Sequence, residues 1–155
     1  MVVLNKDKID KLCKKHNLPV TDIDKEILEL VILFNEIGLK TEFCCIGHSR
    51  VEPISIIFHK CVSDEMLYTN LTNIFGDEKT RRETHSDLGV FQKWVRLHNS
   101  KGKDLVFENW CFTGEACMFS FYRTNMKKRI KYVNSISKRI YENFVNVEGK
   151  IIGAD

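Results

Sequence analysis

The sequence predicts an α+β protein, with a mixed, mostly antiparallel sheet and helices packed on one face, in the order ααββαβββα(β). Three observations lead there. Apolar residues recur at helical spacing near both ends of the chain, in residues 23–34 and 126–140. Short apolar or alternating runs lie between them, bounded by Gly, Pro, Asn and Asp. Three of these runs follow one another between residues 90 and 122 without an intervening helical pattern, which favours α+β over α/β. The 155 residues, 43% of them apolar, suffice for one domain with its own core. No repeat or linker divides 1–155.

The first helix is expected over residues 6–16, where Ile9, Leu12, Cys13 and His16 share a face among lysines and Pro19 follows. Thr21 is placed to cap a second helix, with Asp24 as its capping-box partner. Ile23, Ile27, Leu30, Val31 and Phe34 form its apolar stripe, and Gly38 stops it. Strands are expected at residues 39–44 and 53–59. Ser63 is a cap for a third helix carrying Met66, Leu67, Leu71, Ile74 and Phe75 and ending at Gly76. Residues 77–87 contain no apolar side chain and read as an exposed loop. Strands follow at 90–98, 105–112 and 117–122, with a hairpin loop at 99–104 and a turn at Gly114-Glu115. The last helix is expected over 125–143 on the stripe Met126, Ile130, Val133, Ile136 and Ile140, with an edge strand at 145–152.

No apolar run is long enough to span a membrane. Charge enters too early in Met1–Lys8 for a secretory signal. A cytoplasmic setting follows as the expectation, and with it six reduced cysteines rather than disulfides. The codon bias implied by 17 Lys, 15 Ile and 11 Asn against 2 Ala points to an AT-rich genome, that of a low-GC bacterium or its phage.

The most unusual local feature is Phe43-Cys44-Cys45-Ile46-Gly47-His48-Ser49-Arg50. Gly47 permits a sharp turn that can aim several peptide N–H groups at one spot and so cradle an anion. His48 and Arg50 would add charge-assisted donors. Packing alone is the competing assignment, because free cysteine is often buried. Structural zinc would need Cys45 and His48 to join His59 and Cys61. A strand from 53 to 59 holds its ends about 20 Å apart, which opposes that set. A nucleophilic Cys45 paired with His48 lacks an orienting third group among its neighbours in sequence.

Residues 24–48, a helix followed by Gly38 and Lys40-Thr41-Glu42-Phe43-Cys44-Cys45-Ile46-Gly47-His48, resemble the start of the wybutosine-synthesis methyltransferase family that acts on tRNA. Thr41, Cys45 and Gly47 match its Thr-rich, Ser-Cys-Ser-Gly-Arg loop, while Cys44 and Ile46 replace serines and His48 replaces the arginine. The resemblance implies a loop bordering a nucleotide-like ligand.

From Arg123 to Arg139 there are seven cations and no acid. Such a helix, Lys127 included, attracts phosphate, and Arg123 and Asn125 sit where strand passes into helix, a natural anion site. Trp94, beside Lys93 and Arg96, is the aromatic best placed by sequence to stack on a base. The sequence therefore points first to non-enzymatic binding of a nucleotide-like or other anionic small molecule, as in phage-type sequestering proteins. The ligand-binding candidates are Cys45, Gly47, His48, Arg50, Trp94, Arg96, Arg123, Asn125 and Lys127. RNA is a further partner class, a membrane is not, and no cofactor, metal or catalytic residue is assigned. The alternatives are an RNA- or nucleotide-modifying enzyme of the methyltransferase type and a protein-interaction module with or without zinc. No P-loop, HExxH or GxGxxG supports an enzyme.

Overall fold

A computed structural model describes residues 3–49, 54–63, 66, 69–70, 80–85, 91–97, 109–112, 117–121 and 125–148. The α+β expectation holds. Helix α1 (Lys6–Lys15) is capped by Asn5, whose side chain accepts from the Lys8 N–H at 2.9 Å. It ends where Asn17 takes a left-handed φ of 52° and the Leu18 N–H returns to the Cys13 carbonyl. Pro19, expected to help end the helix, lies three residues beyond its C-cap His16.

The second helix starts later than its capping pattern predicts. Val20–Asp22 form a short 3-10 turn, and α2 (Leu28–Glu36) begins without a side-chain cap. Asp24 is used elsewhere, as described below. Every residue of α2 from Leu28 to Asn35 is buried, so this is a central helix, apolar nearly all round. Its two buried polar members are satisfied. The Glu29 carboxylate accepts the Val3 and Leu4 N–H groups, and the Asn35 amide donates to the Val31 carbonyl and to Thr41 Oγ1. Gly38, at φ 92°, ends the helix as expected, with the Leu39 N–H bonded to the Phe34 carbonyl.

The sheet runs β1 (Thr41–Cys45), β2 (Ile54–Phe58), β3 (Thr80–His85), β4 (Phe91–Leu97), β5 (Asn109–Phe112) and β6 (Cys117–Phe121) along the chain. In space the order is β1-β2-β6-β5-β4-β3, and every described pairing is antiparallel. Strand β3 corrects residues 80–85 of the expected loop at 77–87, while 77–79 and 86–87 lie outside the described residues. Its polar sequence, Thr-Arg-Arg-Glu-Thr-His, suits an edge strand, where charge discourages pairing with another chain. Hydrophobic periodicity cannot detect a strand that has no apolar face. The helix α3 (Met126–Glu148) is the other correction. It continues through 145–148, where an edge strand was expected, while 149–152 lie outside the described residues. So do the hairpin loop at 99–104, the turn at Gly114-Glu115, and Leu67, Leu71, Ile74, Phe75 and Gly76 of the expected third helix. Ser63 does accept from the Met66 N–H, and Met66, Thr69 and Asn70 are helical.

One core joins the three helices to one face of the first hairpin. Ile54, Ile56 and Phe58 alternate with half-buried Ser55 and Ile57 along β2. They pack into a cluster with Leu12 of α1, Leu30, Leu33 and Phe34 of α2, and Val133, Ile136 and Ile140 of α3. Phe34 meets Phe58 edge to face at 5.3 Å.

Candidate functional site

Strand β1 ends at Cys45, and the chain then turns through Ile46 and Gly47, the latter at φ 82°. Only glycine enters that region without strain. The turn's N–H groups are already engaged. Ile46 N–H donates to Asp24 Oδ2 at 2.9 Å, and Gly47 N–H donates to Cys45 Sγ at 3.3 Å. His48 Nε2 lies 3.4 Å from the same Asp24 oxygen. Asp24, Cys45 and His48 thus bring a carboxylate oxygen, a thiol sulfur and a ring nitrogen within 4.8 Å of one another. Asp24 and Cys45 are half-buried and His48 is exposed.

The loop is fixed from behind by Arg129. This side chain is 1% exposed and donates to the Ile46 carbonyl at 3.1 Å and the Ser49 carbonyl at 2.8 Å. A buried guanidinium is tolerated where carbonyls receive it. One turn earlier, Asn125 lies on the same side of α3, its carbonyl accepting from the Arg129 N–H. The loop and the start of the last helix therefore meet.

The basic helix is divided by this contact. Lys127 stands two residues from Arg129, about 200° round the helix, and is exposed together with Lys131 and Lys138. These three share a solvated strip turned away from the loop, so Lys127 does not join Cys45, Gly47 and His48. Trp94 and Arg96 lie in β4, where they pair with Glu83 and Arg81 of β3. Four strand positions separate β4 from β1, about 19 Å at ordinary spacing, so these two belong to another part of the sheet. Arg50 and Arg123 lie outside the described residues.

Two participants escaped the sequence reading. Asp24 looked like the capping-box partner of Thr21, and its distance of 21 positions from Cys45 hides their proximity. Arg129 was one cation among seven. Its signal was its place four residues before Val133 and seven before Ile136, on the buried stripe. The nucleophile reading lacked a third group, and the structure brings Asp24 beside the Cys45–His48 pair. The zinc set with His59 and Cys61 is excluded by register: Cys45 pairs with Ser55, and Thr41, at the far end of the hairpin, pairs with Phe58. Cys13, Cys44, Cys45 and Cys61 are free thiols. Burial pushes the Cys44 thiol up to about 11, with Asp24 and Cys45 adding to the rise. Cys44 lines a cleft of about 260 Å³ that also carries Asp22 and Glu42, a lining unsuited to anions.

Fold and site together define a class: an α+β protein with an antiparallel sheet, whose first hairpin carries an Asp–Cys–His cluster anchored on the last helix. The chain belongs to the YoqC prophage protein family, whose model matches residues 10–148. No curated protein and no solved structure matches it. The resemblance of residues 24–48 to the wybutosine-synthesis methyltransferases thus gains no support, whereas the phage-type origin read from composition does. Among the described residues, no helix is long and apolar enough to cross a membrane.

Proposed function

We propose that this prophage protein binds a small anionic, nucleotide-like molecule, without transforming it, where the loop meets the start of α3. The observation that carries this reading is the Arg129 contact, which sets exposed His48 and Asn125 beside the first turn of a 23-residue helix. That turn contains no acid to offset the partial positive charge of the helix N-terminus. The peptides of the Gly47 turn play no direct part, because they already bond to Asp24 and Cys45. Arg50 and Arg123 flank the same two segments in sequence. The exposed strip of Lys127, Lys131 and Lys138 supports RNA as the second reading.

A thermal-shift screen of mono-, di- and triphosphate nucleotides and cyclic nucleotides tests the first reading. Stabilisation is expected for the folded chain by mass action, reduced in His48→Ala and Asn125→Ala and kept in Lys131→Ala. Absence of any shift at millimolar ligand removes it. Binding of an RNA oligonucleotide that Lys131→Ala weakens and His48→Ala leaves intact would establish the second reading instead.

A further inference from the structure

We propose that Asp24, Cys45 and His48 form a binding site for a divalent transition-metal ion of the zinc class, with one coordination position left for water or an exogenous anion. Three observations support it. First, the donors are chemically right. Zinc takes imidazole nitrogen, thiolate sulfur and carboxylate oxygen, and three protein ligands plus one open position is its usual exchangeable arrangement. Soft sulfur combined with nitrogen selects against magnesium and calcium.

Second, the spacing is close to that of a tetrahedron. Zinc bonds of about 2.0–2.3 Å put neighbouring ligand atoms about 3.4 Å apart. His48 Nε2 and Asp24 Oδ2 are already at 3.4 Å, and the sulfur lies within 4.8 Å of both other donor atoms. The imidazole that would turn to close the remaining gap is exposed, and the thiol is half-buried.

Third, the second layer of contacts suits ligation. The Ile46 N–H holds the Asp24 carboxylate and the Gly47 N–H points at the Cys45 sulfur, the kind of outer hydrogen bonding that orients metal ligands and stabilises a thiolate. Arg129 fixes the loop that carries both peptides. The glycine turn thus serves the ligands instead of cradling an anion. On binding, the Cys45 thiol gives its proton to solvent as the metal–sulfur bond forms.

The site rests on ligand geometry alone. It would also deepen the anion-binding reading, since a cation with an open position beside α3 attracts an anion directly.

The experiment uses the full chain, freed of metal by chelator and titrated with cobalt(II) alone, so that its failure is separate from failure of the nucleotide screen. A thiolate-to-cobalt charge-transfer band is expected to saturate at stoichiometric metal and to be displaced by zinc. Cys45→Ser should abolish the band, while Cys44→Ser and Cys61→Ser retain it. His48→Ala and Asp24→Asn should weaken cobalt affinity about tenfold or more. Circular dichroism checks that each variant is folded. Because His48 is exposed, His48→Ala carries the test even if Cys45→Ser unfolds. No band at stoichiometric cobalt, a band that folded Cys45→Ser keeps, or unchanged affinity in His48→Ala would overturn the proposal.

Discussion

Without the guanidinium of Arg129, the Ile46 and Ser49 carbonyls would lose the donors that hold the loop against α3. Arg129→Met keeps an apolar stem and removes the guanidinium. It is expected to destabilise the chain by about 2–3 kcal/mol, the range for hydrogen bonds from a charged donor. Urea unfolding measures this, and a change below about 0.5 kcal/mol, the level of an ordinary surface substitution, would show that the loop is held by other means. Asp24 teaches the same lesson as Arg129. Its sequence context, Thr-Asp-Ile-Asp before an apolar stripe, satisfies a capping rule, yet its carboxylate turns to the Ile46 N–H. Ile46 and His48, which this side chain meets, both follow strand β1 and lie more than 20 positions away.

Among the elements, α1 and α2 are joined by a cluster with a definite pH signature. Glu36, near the end of α2, accepts from His16 at 2.7 Å and from Lys15 at 3.0 Å. Burial pushes its carboxyl up, but the bonds and charges of His16 and Lys15 outweigh this and hold it below the usual value of 4.5. A group depressed in the folded state contributes stability above its unfolded value and loses it as pH falls through its folded one. Glu36→Gln should therefore cost about 1 kcal/mol at neutral pH, and the gap to the parent chain should close as pH falls below 4.5. Chemical denaturation at a series of pH values reads this, and a gap independent of pH would contradict the assignment. Most helices and strands were legible because each buries an apolar face with its own period. Strand β3 was not, since an edge strand can be polar on both faces. The full length of α3 was not either: residues 145–148 continue the helix through a segment whose valines also suit a strand.

The molecule as a whole is organised around α2, which is buried from Leu28 to Asn35 and touches both other long helices and the first hairpin. Phe34→Ala would empty the contact with Phe58 and is expected to cost about 3–5 kcal/mol, a large share of a typical domain's stability. An equilibrium denaturation midpoint that hardly moves would show that α2 does not anchor the hairpin. The sequence by itself determined the α+β class, the buried positions Leu30, Val31 and Phe34 of α2 and Val133, Ile136 and Ile140 of α3, the glycine stop at Gly38 and the interest of the Cys45–His48 loop, because each depends on contacts or conformations within a short stretch of chain. Met126, expected on the last buried stripe, is exposed at the helix's first turn, and Ile23 and Ile27 precede α2. Only the tertiary structure decided that Asp24 completes a three-donor cluster, that Arg129 leaves the basic helix to hold the loop, and that Lys127, Trp94 and Arg96 lie away from it. Those outcomes depend on which elements pack together, and a side chain's partner across 22 or 83 positions leaves no mark in local spacing.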